Sequence, residues 1–81
     1  MVTAQNIKHW IELHLANSQA FVEGDGHHFT ATVICADFMG LSTLERHRRV
    51  YSALGNRMQA DIHALSLKVL TPEESSRGGE R

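Results

Sequence analysis

The stretch Gln19-Ala20-Phe21-Val22-Glu23-Gly24-Asp25-Gly26-His27-His28-Phe29-Thr30-Ala31-Thr32-Val33-Ile34-Cys35 decides the fold. Gln19 to Glu23 reads as a short strand. Gly24-Asp25-Gly26 reads as a turn, because its two glycines reach positive φ without steric cost. His27 to Cys35, rich in Thr, Val, Ile and Phe, reads as the returning strand. Strand side chains alternate, so Phe29, Ala31, Val33 and Cys35 share one face, and His28, Thr30, Thr32 and Ile34 the other. The pattern is that of a β-hairpin.

Toward the N-terminus, Thr3 fits as the cap of a helix running to about Leu15. Ile7, Trp10, Ile11, His14 and Leu15 keep the spacing of one buried helical stripe. Toward the C-terminus, Asp37 to Leu41 is a loop, and Ser42 with Glu45 makes a capping box for a second helix. Its apolar stripe is read as Leu44, His47, Val50, Tyr51 and Leu54. Arg46 and Arg49 then point away and Arg48 lies on the flank. Gly55 closes the helix, and Asn56 to Asp61 suits one more helical turn. Ile62 to Leu70 is a third strand, with His63, Leu65, Leu67 and Val69 facing one way. Pro72 ends it. The expected fold is α+β, in the order αββααβ, with a small three-stranded sheet covered by helices. Residues 1–74 form a single domain, and residues 75–81 are expected to be a disordered polar tail.

Bulk properties narrow the function. The chain has 81 residues, of which 42% are hydrophobic and 21% charged, with a formal net charge of −1. Its pI is near 6.6. That balance argues against a general nucleic-acid binder, whose domain is usually basic. No stretch approaches the roughly 18 apolar residues of a membrane helix, and the N-terminus lacks a secretory pattern. A cytoplasmic protein without membrane contact is expected. Cys35 is the sole cysteine, so neither an intrachain disulfide nor a self-sufficient cysteine cluster site is possible. Six histidines stand against it, so imidazole is the ligand to expect if the chain handles metal. No nucleophile–base pair, phosphate loop or paired-carboxylate signature marks an enzyme.

Three motifs, in order, carry a resemblance. Phe38-Met39-Gly40-Leu41-Ser42, Arg46-His47-Arg48 and Val50-Tyr51 form the first. Gly24-Asp25-Gly26-His27-His28-Phe29 is the second. Ile62-His63-Ala64-Leu65-Ser66-Leu67-Lys68 with Thr71-Pro72 is the third. Together they resemble the BolA family over nearly the whole chain. The resemblance implies a fold similar to a class II KH domain. It implies partnership with a monothiol glutaredoxin carrying a CGFS motif. It also implies a [2Fe–2S] cluster shared with that partner and glutathione, with no cofactor in the isolated chain. The family's strand-three histidine is matched by His63, and its loop ligand by His28, with His27 as the neighbour able to replace it.

The residues themselves admit plainer readings. His14 and His47, inside helical stripes, are expected as buried, hydrogen-bonded histidines, and Cys35 as a buried inert thiol. His27 and His28 suit polar positions after a turn, and His63 suits core packing. Arg46, Arg48 and Arg49 are the one basic cluster. It reads as a solvated helix face or as a contact for a partner or for DNA. KH domains grip nucleic acid through a GXXG loop, and Gly55-Asn56-Arg57-Met58 lacks its second glycine. The resulting expectation is a non-enzymatic adaptor in iron–sulfur cluster trafficking or sensing, monomeric or weakly dimeric alone. A nucleic-acid-binding stress-response or transcription regulator is the alternative.

Overall fold

Thr3 opens the first helix, α1 (Ala4–His14), through a reciprocal cap. Its Oγ1 accepts from the Asn6 N–H at 3.1 Å, and Asn6 Oδ1 accepts from the Thr3 N–H at 3.0 Å. In this computed structural model, which describes residues 1–77, α1 buries Ile7 and Ile11, and Leu15 continues the same line. His14 is exposed, which corrects the expectation of a core histidine. Ile7, Ile11 and Leu15, four residues apart, make the buried line; Trp10 packs partly against the core beside it, while His14, one turn further on, lies in water. There His14 Nδ1 donates to the Trp10 carbonyl at 3.0 Å.

The hairpin forms as expected. Strands β1 (Ser18–Gly24) and β2 (His28–Cys35) pair antiparallel, from Ser18 opposite Cys35 to Gly24 opposite Phe29. Strand β3 (Ala64–Leu70) joins the other edge of β2 in parallel, with His28 opposite Ala64 and Ile34 opposite Leu70. The order is β1-β2-β3. A parallel neighbour requires a crossover, and two helices supply it: α2 (Thr43–Leu54) and α3 (Arg57–Ala60). One sheet face, carrying Ala20, Phe29, Ala31, Val33 and Cys35, meets Ile7, Ile11, Val50 and Leu54 from the helices. Phe38, in a 3-10 turn after β2, is fully buried in the same core. The α+β class and the three-stranded sheet are as read.

Three details differ from expectation. The third strand begins at Ala64, because the Ile62 N–H donates to the Arg57 carbonyl and so finishes α3 instead of the ladder. The stripe of α2 is turned. The Ser42–Glu45 capping box is present, but Leu44 and Tyr51 are exposed. His47 is only half-buried and meets Tyr51 edge-on, with ring centroids 6.3 Å apart. Val50, Ala53 and Leu54 are the buried positions. Arg46 completes that face, with a side chain only 11% exposed. Its polarity alone would put it in solvent. Long arginine stems, however, cover apolar surface while their heads find partners.

The tail is the third correction. Thr71-Pro72-Glu73-Glu74 opens a further helix, α4 (Pro72–Ser76), packed against β2 and β3. Thr71 Oγ1 accepts from the Glu74 N–H at 3.1 Å, and Glu74 Oε1 accepts from the Thr71 N–H at 2.9 Å. The proline that ends β3 also begins this helix, since its missing N–H costs nothing at the first helical position. Residues 75–77 are thus structured, and 78–81 of the expected tail lie outside the described residues.

Candidate metal-ligand pair and the arginine face

The loop between β1 and β2 is fastened from within. Gly24 is packed so closely that an added Cβ would lie 2.3 Å from Phe29 Cδ1 and 2.6 Å from the His28 carbonyl oxygen. Gly26 sits at φ +100°, where glycine alone is unstrained. Asp25 does the holding. One oxygen of its carboxylate accepts from the N–H groups of both His27 and His28, each at 2.9 Å. The N–H of His28 and then of His27 keep that carboxyl below the ordinary carboxylate range. An Asp two residues ahead of the N–H groups it takes is itself a turn signal.

This loop delivers its histidines to the end of the sheet where β3 starts. Because His28 stands opposite Ala64, the preceding position on each chain brings His27 beside His63. Their ring centroids are 5.4 Å apart, with the planes tilted 38°. Both side chains are open to solvent. His28 points to the opposite face by strand alternation. Of the two loop histidines, then, His27 is the one whose ring meets that of His63. Two neighbouring imidazoles can serve as two ligands of a borderline metal. Among the described residues no group of three or more His, Cys, Asp or Glu side chains gathers, so further ligands at this pair would come from another molecule.

Cys35 lies at the far end of β2, fully buried, its thiol directed at the Ala16 carbonyl 3.4 Å away. It is buried, as expected. His9 is exposed on α1.

The arginine cluster divides. Arg46 Nε donates to the Leu41 carbonyl at 3.0 Å, and Nη1 to the Val69 carbonyl at 3.1 Å. The same guanidinium forks onto Glu74, Nη1 to Oε1 at 2.7 Å and Nη2 to Oε2 at 3.3 Å. It lies 5.7 Å from the Phe38 ring centroid. Hydrogen bonds from Arg46, then from the Thr71 N–H, hold the Glu74 carboxyl at about 2. Arg46 therefore ties the loop, α2, β3 and α4 together, which corrects its assignment to the solvated face. Arg48 and Arg49 remain exposed. One contact escaped the sequence reading altogether: the Arg57 guanidinium stacks 4.6 Å from the Trp10 ring centroid.

Among the described residues no helix is long and apolar enough to cross a membrane. Comparison with known proteins places this geometry. The family model described as BolA-like protein matches residues 4–74. A Haemophilus influenzae protein named DNA-binding transcriptional regulator BolA is 38% identical over 63 residues, which cover 78% of this chain and 58% of that protein. The chain thus matches little more than half the length of that curated relative. The solved structure of a BolA homologue from Coxiella burnetii is 58% identical, with a TM-score of 0.90 over 95% of this chain and 100% of the other. The solution structure of yeast Fra2 is 34% identical, with a TM-score of 0.75, covering 94% of this chain and 86% of its own. With the three sequence motifs, the sheet order and the near-complete structural overlap in agreement, the chain belongs to the BolA-like protein family.

Proposed function

We propose that this protein is a non-enzymatic adaptor that pairs with a CGFS monothiol glutaredoxin and contributes imidazoles to a [2Fe–2S] cluster shared between them. The observation that carries this reading is the contact of the His27 and His63 rings at the open end of two adjacent strands. The donor chemistry fits. Each iron of such a cluster takes two ligands besides the sulfides, and mixed histidine and cysteine sets are workable. The glutaredoxin cysteine and a glutathione thiolate would complete the set. When bound, the cluster would supply electron-transfer or transferable-iron chemistry. The chain's own part is to fix ring direction. His63 is fixed by its place immediately before β3, while Asp25 and the flanking glycines hold His27. The resemblance alone put His28 first, with His27 in reserve. The ring placement supports the opposite order.

The test is anaerobic reconstitution of the heterodimer, followed by visible circular dichroism. His63→Ala is expected to abolish the cluster spectrum and His27→Ala to weaken it more than His28→Ala does, with folding verified separately. A native spectrum and cluster lifetime in His63→Ala would remove the proposal. A second reading, nucleic-acid regulation, draws on the name of the Haemophilus relative and on exposed Arg48 and Arg49. With Arg46 engaged internally, two phosphate contacts give a salt slope of only about −1.8. Submicromolar, sequence-selective DNA binding at physiological salt would reverse the ranking.

A further inference from the structure

We propose that the cleft between the C-terminal end of α1 and the outer side of α2 is a docking site for an acidic peptide segment carrying an apolar residue. The site is separate from the histidine pair and does not depend on its role. His14 and Leu15 line it from the α1 side and Glu45, Arg48, Arg49 and Ala53 from α2; the cleft has a volume of about 410 Å³. Its floor is apolar, since Leu15 and Ala53 are nearly buried. Its rim carries two exposed guanidinium groups on successive residues of one helix.

The charges around the cleft favour an anionic guest. Glu45 is the one carboxylate among the lining residues, and it already accepts from the Ser42 N–H at 3.0 Å and the Ser42 hydroxyl at 3.2 Å. His14 has its Nδ1 committed to the Trp10 carbonyl, which turns Nε2 outward. Among the described residues no carboxylate makes a salt-bridge contact with Arg48 or Arg49; Glu45, the nearest acid, feels both only through space and leaves the rim with a surplus of positive charge. Carboxylates of a partner are natural guests for their forked donors. The apolar floor adds a requirement that a phosphate ribbon does not meet, namely a side chain to bury. An apolar anchor flanked by acids satisfies both halves of the site. Duplex DNA would satisfy only the arginines, and would bring its phosphates against Glu45.

The experiment titrates the full-length, isotope-labelled chain with the synthetic peptide Gly-Asp-Glu-Leu-Leu-Asp-Glu-Gly, monitored by amide chemical shifts. Shifts are expected at His14, Leu15, Arg48 and Arg49, with the loop at His27 undisturbed. Arg48→Gln with Arg49→Gln, both at exposed positions, should keep the fold and weaken binding by about tenfold or more, the scale of one lost charge-assisted contact. Replacing the two leucines of the peptide with serine should weaken it comparably. Shifts confined to another surface would overturn the proposal. So would unchanged affinity in the double arginine variant, or tighter binding of a duplex oligonucleotide at the same residues.

Discussion

Replacing Arg46 with Met separates the anchored arginine from its neighbours on the same helix. The methionine keeps an unbranched stem over Phe38 and removes the guanidinium. Two charge-assisted bonds to the Leu41 and Val69 carbonyls disappear, each contributing about 1.5–3 kcal/mol net. Releasing the long side chain returns about 2 kcal/mol of rotamer entropy. The ion pair with Glu74, whose side chain is 31% exposed, adds no more than about 1 kcal/mol, because water screens it. The sum is a loss of about 1–5 kcal/mol. For a domain of this size that lowers the melting temperature by roughly 4–40 °C. Arg48→Met and Arg49→Met, at exposed positions, should stay within about 0.5 kcal/mol of the wild type. Urea titrations of all three variants at neutral pH, followed by far-ultraviolet circular dichroism, make the comparison. If Arg46→Met unfolds at the same midpoint as Arg48→Met, the bonds described for Arg46 do not hold the fold together.

Glu74 supplies a pH test. Its folded pKa, about 2, lies below its ordinary 4.5, so its stabilising contribution is complete above 4.5 and is lost as the pH falls toward 2. The gap in urea midpoint between wild type and Glu74→Gln should therefore narrow from pH 6 to pH 2.5. A gap independent of pH would mean the carboxylate is not held by Arg46. Gly24→Ala should destabilise the hairpin, because its methyl group would press on Phe29 and the His28 backbone. Loss of amide protection at His27 and His28 would report it, and wild-type exchange would refute the close packing. Phe38→Ala removes a fully buried ring and should cost about 3–5 kcal/mol, lowering the melting temperature by at least about 12 °C. A change of a few degrees would place Phe38 outside the core.

The hairpin, the Ser42–Glu45 capping box and the buried face of β2 could be read from the residues, because strand alternation and cap spacing are local rules. What escaped reading was chosen by tertiary contacts. Arg46 reads as solvent-facing until a loop carbonyl, a strand carbonyl and a carboxylate from α4 surround it. His14 reads as core until the narrow Ile7–Ile11–Leu15 line leaves it outside. The helix at Pro72 was hidden by its polarity, although Thr71 and Glu74 stand at capping-box spacing. The histidine pair was half legible. His63 and a loop histidine were selected by resemblance, yet the choice between His27 and His28 rests on the register of a parallel pairing, which no local pattern encodes.

That parallel pairing also sets an order of events. The hairpin can close as soon as its own residues are available, and it then presents His27 on a finished turn. His63 joins only after α2 and α3 have folded back to carry the last strand alongside β2. A chain interrupted anywhere before that return lacks His63 and cannot form the pair. In the proposed role, metal capture by the pair would wait on completion of the crossover, and a ligand spanning both rings would stabilise the last strand in its place beside β2.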